Sequence, residues 1–309
     1  MTNPLLSTST LSYGVPDWAT IKREHILPAA RQAMAAERMM WDEIATNTEP
    51  ATVENTVVPF DESAEELERV LSPAFTLFSS VGGDELDAIQ AEIGPELSAH
   101  ENAFWLDRRL FDRFNTIDLS NADGIDLSPE DQEVLKEIDA KLSELNIQFG
   151  QRAVKAMRDN ALTVTDRADL AGLSEEQIAS YQQDDGTYSL PLLNFTNQPL
   201  QAQLTKPETR RALLAASTSR GLGARESSDT RQIVIEIATL RARKAALLGM
   251  PHHSEVVAQR GMAKESQAII NLLTTVAAKA VAAVDREVDE LRPLAEADEA
   301  GDGLHAGDL

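Results

Sequence analysis

Apolar residues return at steps of three and four along most of this chain, and capping residues stand where the periodic runs begin, so the pattern predicts a mainly helical protein. Ser63 with Glu66, and Ser174 with Gln177, have the Ser-x-x-Glu/Gln spacing in which each side chain satisfies a backbone N–H orphaned by the first turn. Ser128 followed by Pro129 marks another start, since proline at the first helical position gives up no hydrogen bond. A helix is expected from about Asp229 to Leu248, with Ile233, Ile237, Leu240 and Leu247 facing inward and Gly249 as its stop; Gly221 ends the helix before it. The clearest stripe is Ile269, Leu273, Val276, Ala280, Val284, Val288 and Leu291, which holds one helical face and should pack on other helices. Asp285, Glu287, Asp289 and Glu290 fall largely off that stripe and read as a solvated surface.

Two short runs depart from the helical period. Ala161 to Thr165 and Thr187 to Leu192 are rich in strand formers and bounded by Asp, Gly and Asn, which predicts a small β hairpin or ribbon near 161–192. Ser174 to Tyr181 between them reads as a short helix, so the two strands are not joined by a tight turn. The segment from Leu294 to Leu309 is acidic and glycine-containing and reads as a linker. The expected organisation is a helical region over 1–293, with subregions near 1–160 and 161–293, followed by that linker over 294–309. No repeat of fixed period occurs.

Composition narrows the class. With 42% apolar and 26% charged residues among 309, the chain is a globular protein large enough to bury a substantial core. The 51 acidic residues against 28 basic ones give a formal charge of -23, which would repel phosphate backbones and anionic lipid, so neither nucleic acid nor membrane is an expected partner. The absence of cysteine excludes disulfides, thiolate metal sites and a cysteine nucleophile, and fits a cytoplasmic location.

Candidate chemistry is sparse. A helical His-Glu-x-x-His places two imidazoles on one face for a zinc ion, with the glutamate polarising water. None of the five histidines begins it: His100 precedes Glu101, but Phe104 holds the second ligand position, and His25, His252, His253 and His305 do not start the motif either. The cluster His252, His253, Ser254 and Glu255 is the best remaining metal or acid-base candidate, although adjacent histidines diverge on a helix and read more simply as a cap and a surface pair. His25 reads as structural. Gly221 and Gly223 follow a helix instead of opening one after a strand, so they fit neither a phosphate loop nor a dinucleotide fingerprint. The residues themselves assign no catalytic, metal or substrate-binding position.

An ordered series of short words points further. Asn3-Pro4-Leu5-Leu6, Tyr13-Gly14-Val15-Pro16-Asp17-Trp18 and the run from Ile21 through Glu24-His25-Ile26-Leu27-Pro28-Ala29 resemble the opening of the thimet oligopeptidase and bacterial peptidyl-dipeptidase family. Pro50 to Thr56, Leu142 to Gln151, Ala168 to Leu173, Asn197-Gln198-Pro199, Ser219-Arg220-Gly221, Leu240 to Gly249 and Met262-Ala263-Lys264 follow in the family's order. The resemblance is nearest to the peptidyl-dipeptidases, which remove dipeptides from peptide carboxyl ends.

The resemblance implies one helical half of a two-lobed ellipsoidal oligopeptidase, whose halves face across a channel that admits short peptides. It implies zinc as the cofactor of the full-length family, held by a motif that has no counterpart here, and no zinc bound to this chain alone. The expected function is therefore the amino-terminal portion of a zinc-dependent peptidyl-dipeptidase, inactive by itself, with its missing catalytic half as a partner. A helical stretch present in the family between Phe114 and Ile138 is shortened. The rival expectations are a non-enzymatic acidic helical module that binds peptides or proteins, and the remnant of a split or decayed gene.

Overall fold

The computed structural model describes residues 3–117, 124–192, 200–223 and 225–297. They divide into two compact units: Met1–Gln148 with Ile237–Val256, and Phe149–Glu236 with Val257–Leu309.

The first unit is helical. Its elements are α1 (Ile26–Thr46), α2 (Val58–Ser63), α3 (Glu65–Ser80), α4 (Asp84–Trp105), α5 (Arg108–Thr116) and the first part of α6 (Pro129–Asp159). The stripe Ile26, Ala29, Ala30, Ala33 and Met34 on α1 is buried against Leu67, Val70 and Ala74 of α3 and Leu86 and Ile93 of α4. Small residues on α1 let its neighbours approach, and Gly94 does the same on α4: a Cβ there would lie 2.0 Å from Ile147 Cδ1 of α6. A second cluster joins Trp41, Ile44 and Leu110, with Phe60 and Phe104 packed on it. Pro129 opens α6 as its sequence predicts, with Ser128 Oγ accepting from Asp131 N at 3.1 Å.

The expected capping box at Ser63 does not form. Ser63 ends α2, and its buried hydroxyl donates to Phe60 O at 2.7 Å and accepts from Trp41 Nε1 at 3.2 Å. A buried indole N–H needs an acceptor, and that need claims the serine.

The second unit holds the ribbon. Strand β1 (Leu162–Val164) pairs antiparallel with β2 (Tyr188–Leu190), with Thr163 opposite Ser189. The intervening α7 (Glu175–Tyr181) carries the expected capping box: Gln177 N donates to Ser174 Oγ at 3.2 Å and Ser174 N to Gln177 Oε1 at 2.9 Å. Val164, Leu170, Leu173, Ile178, Leu190 and Leu213 share one core under the ribbon, the last from α8 (Pro207–Thr218). Gly172 is required here, because at φ +100° its Cβ would meet Gln203 O at 2.0 Å.

Three further helices follow. The helix expected near 229–248 is α9 (Arg231–Leu247), which buries Ile233 and Ile237 and is followed by Gly249 at φ +72°. After α10 (His253–Arg260) comes α11 (Ser266–Ala297), which continues four residues into the segment expected to be linker. The rest of that segment, the Asn197-Gln198-Pro199 word and part of the shortened stretch lie outside the described residues.

The stripe on α11 was expected to pack on other helices, and the described residues do not bury it. Ile269, Leu273, Val276 and Val284 are all exposed, and no described side chain from Ser266 to Glu296 is buried.

Candidate functional site

Several of the family words lie where the backbone turns, whereas Leu142 to Gln151 lies inside α6 and Leu240 to Leu247 inside the helix Arg231–Leu247. Asn3 Oδ1 accepts from Leu5 N at 3.1 Å while Asn3 Nδ2 donates to His25 O at 2.8 Å, which ties the first word to the third. Asn55 Nδ2 donates to Pro50 O at 2.9 Å, and the buried Arg113 of α5 closes the same loop with Nη1 to Asn47 O at 2.6 Å and Nη2 to Asn55 Oδ1 at 2.9 Å. Thr205 N donates to Ala171 O, and Thr230 N to Gly221 O. These residues serve the fold, each satisfying a backbone group that a turn leaves without a helical partner.

The histidines separate. His25 closes a short turn before α1, accepting at Nδ1 from Lys22 N at 3.1 Å. His252 and Ser254 meet side chain to side chain at 2.8 Å on the surface, and Glu255 N donates to His252 O at 3.1 Å, which makes this cluster a helix start. His100 sits in a buried polar cluster of the first unit. Its Nε2 lies 2.8 Å from Glu37 Oε2, Arg38 Nε donates to its Nδ1 at 3.0 Å, and Trp41 stacks on it with ring centroids 4.4 Å apart. An imidazole that accepts at Nδ1 carries its proton on Nε2 and donates it to the carboxylate.

This cluster was not found by motif, because its members are 62 and 63 positions apart. One local signal existed: Glu37 occupies a stripe position among Ala30, Ala33, Met34, Trp41 and Ile44, where an apolar residue is expected. His100 is 2% exposed and Glu37 6%, so substrate cannot reach either. The cluster joins α1 to α4.

Zinc does not fit these donors. Both ring nitrogens of His100 are engaged, one by the Arg38 guanidinium and the other by the Glu37 carboxylate. Among the described residues no group of three or more His, Asp or Glu gathers as a metal site. Gly221 and Gly223, at φ +78° and +88°, make the turn before α9, as expected of residues that follow a helix.

Comparison with known proteins adds the family. Residues 200–309 match the model of peptidase family M3. The chain is 30% identical to the dipeptidyl carboxypeptidase of Escherichia coli K12 over 316 residues, covering 94% of this chain and 46% of that protein. It is 30% identical to the dipeptidyl carboxypeptidase of Salmonella typhimurium over 334 residues, covering 99% and 49%. To the oligopeptidase A of Salmonella typhimurium it is 27% identical over 343 residues, covering 100% and 49%. That alignment is longer than the 309 residues of the chain, so the relative carries residues with no counterpart here. The chain spans about half the length of the curated relatives it matches. The resemblance carried by the sequence words is thus the correct one: the chain matches peptidase family M3 over residues 200–309 and is related along nearly its whole length to dipeptidyl carboxypeptidases and oligopeptidases A.

Proposed function

We propose that this chain is one half of a zinc-dependent peptidyl-dipeptidase that removes dipeptides from the carboxyl ends of short peptides in the cytoplasm. On this reading it neither binds zinc nor cleaves peptides by itself. The observation that carries the reading is the match over nearly all of this chain to less than half of each dipeptidyl carboxypeptidase. Among the described residues, the buried His100 cluster has a guanidinium where a dication would need a ligand, which suits a reading in which zinc is held elsewhere. In the reading, zinc held by residues outside this chain would supply Lewis-acid activation of the peptide bond, and this chain would supply one wall of the peptide channel.

The test is to measure zinc content and dipeptide release for the chain alone and co-expressed with the part of the Escherichia coli enzyme outside the match. The chain alone should hold no stoichiometric zinc and release nothing, and the pair should do both. Zinc-dependent release of dipeptides by the isolated chain would overturn the proposal.

A further inference from the structure

The α11 helix carries the largest uncovered apolar surface among the described residues. Leu273 is 61% exposed, Val276 53% and Val284 54%, flanked by Leu272 at 65% on one side and Val281 at 61% on the other. At 100° per residue these positions cover about half the circumference of the helix. The opposite half carries Gln267, Asn271, Thr274 and Thr275 together with charged residues of both signs.

The polar half decides against lipid. The helix is long and apolar enough to cross a membrane by length and composition alone. A spanning helix would have to place the polar half in hydrocarbon, and a helix lying on a bilayer presents a predominantly basic polar face, whereas on this one Lys279, Arg286 and Arg292 are matched by Asp285, Asp289 and Glu296. The spacing decides against a simple pair of α11 helices from two copies. A two-stranded seam needs a strict heptad, and continuing Ile269, Leu273, Val276, Ala280 at that period reaches Glu287 and Glu290. The apolar stripe instead runs on through Val284, Val288 and Leu291, the period of a straight helix, and its width exceeds what one partner helix can cover.

We infer that this face docks the half of an M3 peptidase that the chain does not span. The whole helix lies within the region matching the M3 family model, so its apolar face belongs to the family's fold, and the relatives hold about as much polypeptide again as the chain matches. The inference rests on the proposed function and adds to it the surface and the residues through which the two halves meet.

The experiment co-expresses the full chain with the unmatched part of the Escherichia coli enzyme and scores co-purification and dipeptide release. The wild-type chain is compared with a Leu273→Lys, Val276→Lys double variant and with Asn271→Lys on the polar half. Circular dichroism and thermal unfolding of each chain alone should be unchanged, because these side chains are exposed. A one-to-one complex weakened at least tenfold by the double variant, and not by Asn271→Lys, is the expected result. A complex that survives the double variant, no complex at all, or a dimer of the chain alone that the double variant abolishes would each overturn the inference. A complex that forms through this face but releases no dipeptide sinks the proposed function and leaves the docking surface standing. Release that survives the double variant does the reverse.

Discussion

Helices α1 and α11 carry the same kind of signal and meet opposite fates. Both show apolar residues at three- and four-residue steps, yet α1 buries Ile26, Ala29, Ala30 and Ala33 completely while no described side chain of α11 is buried. Periodicity states that a face needs a partner, but it does not say whether that partner lies within the same chain. The difference also lies in side-chain size. The α1 stripe is mostly alanine, which suits close approach by α3 and α4, whereas the α11 stripe is mostly Leu, Ile and Val, which fill space in a surface that the described residues do not supply.

Substitutions in the two helices' surroundings should separate accordingly. Leu86→Ala, in the core on which α1 packs, should cost about 2–5 kcal/mol in denaturant unfolding, whereas Leu273→Ala on α11 should change stability by less than about 0.5 kcal/mol. Equal costs would remove the contrast. Next in size, Glu37→Ala leaves His100 Nε2–H without its buried acceptor and should cost about 1–3 kcal/mol by the same measurement. In the second unit, Ser174→Ala removes the cap of α7 and should cost about 1 kcal/mol, read as loss of exchange protection in residues 175–181.

The smallest effect is one of pH. The Arg231 guanidinium holds the Asp229 carboxyl down to about 2, with help from the Arg231 backbone N–H at the start of α9. A pKa depressed below the ordinary value of about 3.9 contributes stability that is fully present above about pH 4 and is lost as pH falls toward about 2. Asp229→Asn should therefore flatten the acid dependence of unfolding between those limits and leave it unaltered at pH 7 relative to its own plateau.

What the sequence makes legible is what short segments decide. The ribbon at 162–164 and 188–190, the capping box at Ser174, the starts at Pro129 and the stop at Gly249 follow from local backbone needs, so local residues announce them. The capping box at Ser63 was misread because a tryptophan 22 positions away claims the hydroxyl. The Glu37, Arg38 and His100 cluster was missed for the same reason, since only the packing of α1 on α4 brings it together. No catalytic or metal residue was legible in the sequence; the ordered words pointed to a family and not to chemistry.

The central claim is the proposal that α11 docks the part of its M3-family relatives that this chain does not span, and amide hydrogen exchange tests it most directly. In the chain alone, residues 266–297 should exchange far faster than residues 26–46, because their hydrogen bonds have no packed cover. In the co-purified complex they should gain protection comparable to α1. Protection of 266–297 equal to that of 26–46 in the chain alone, or no gain in the complex, would contradict the account.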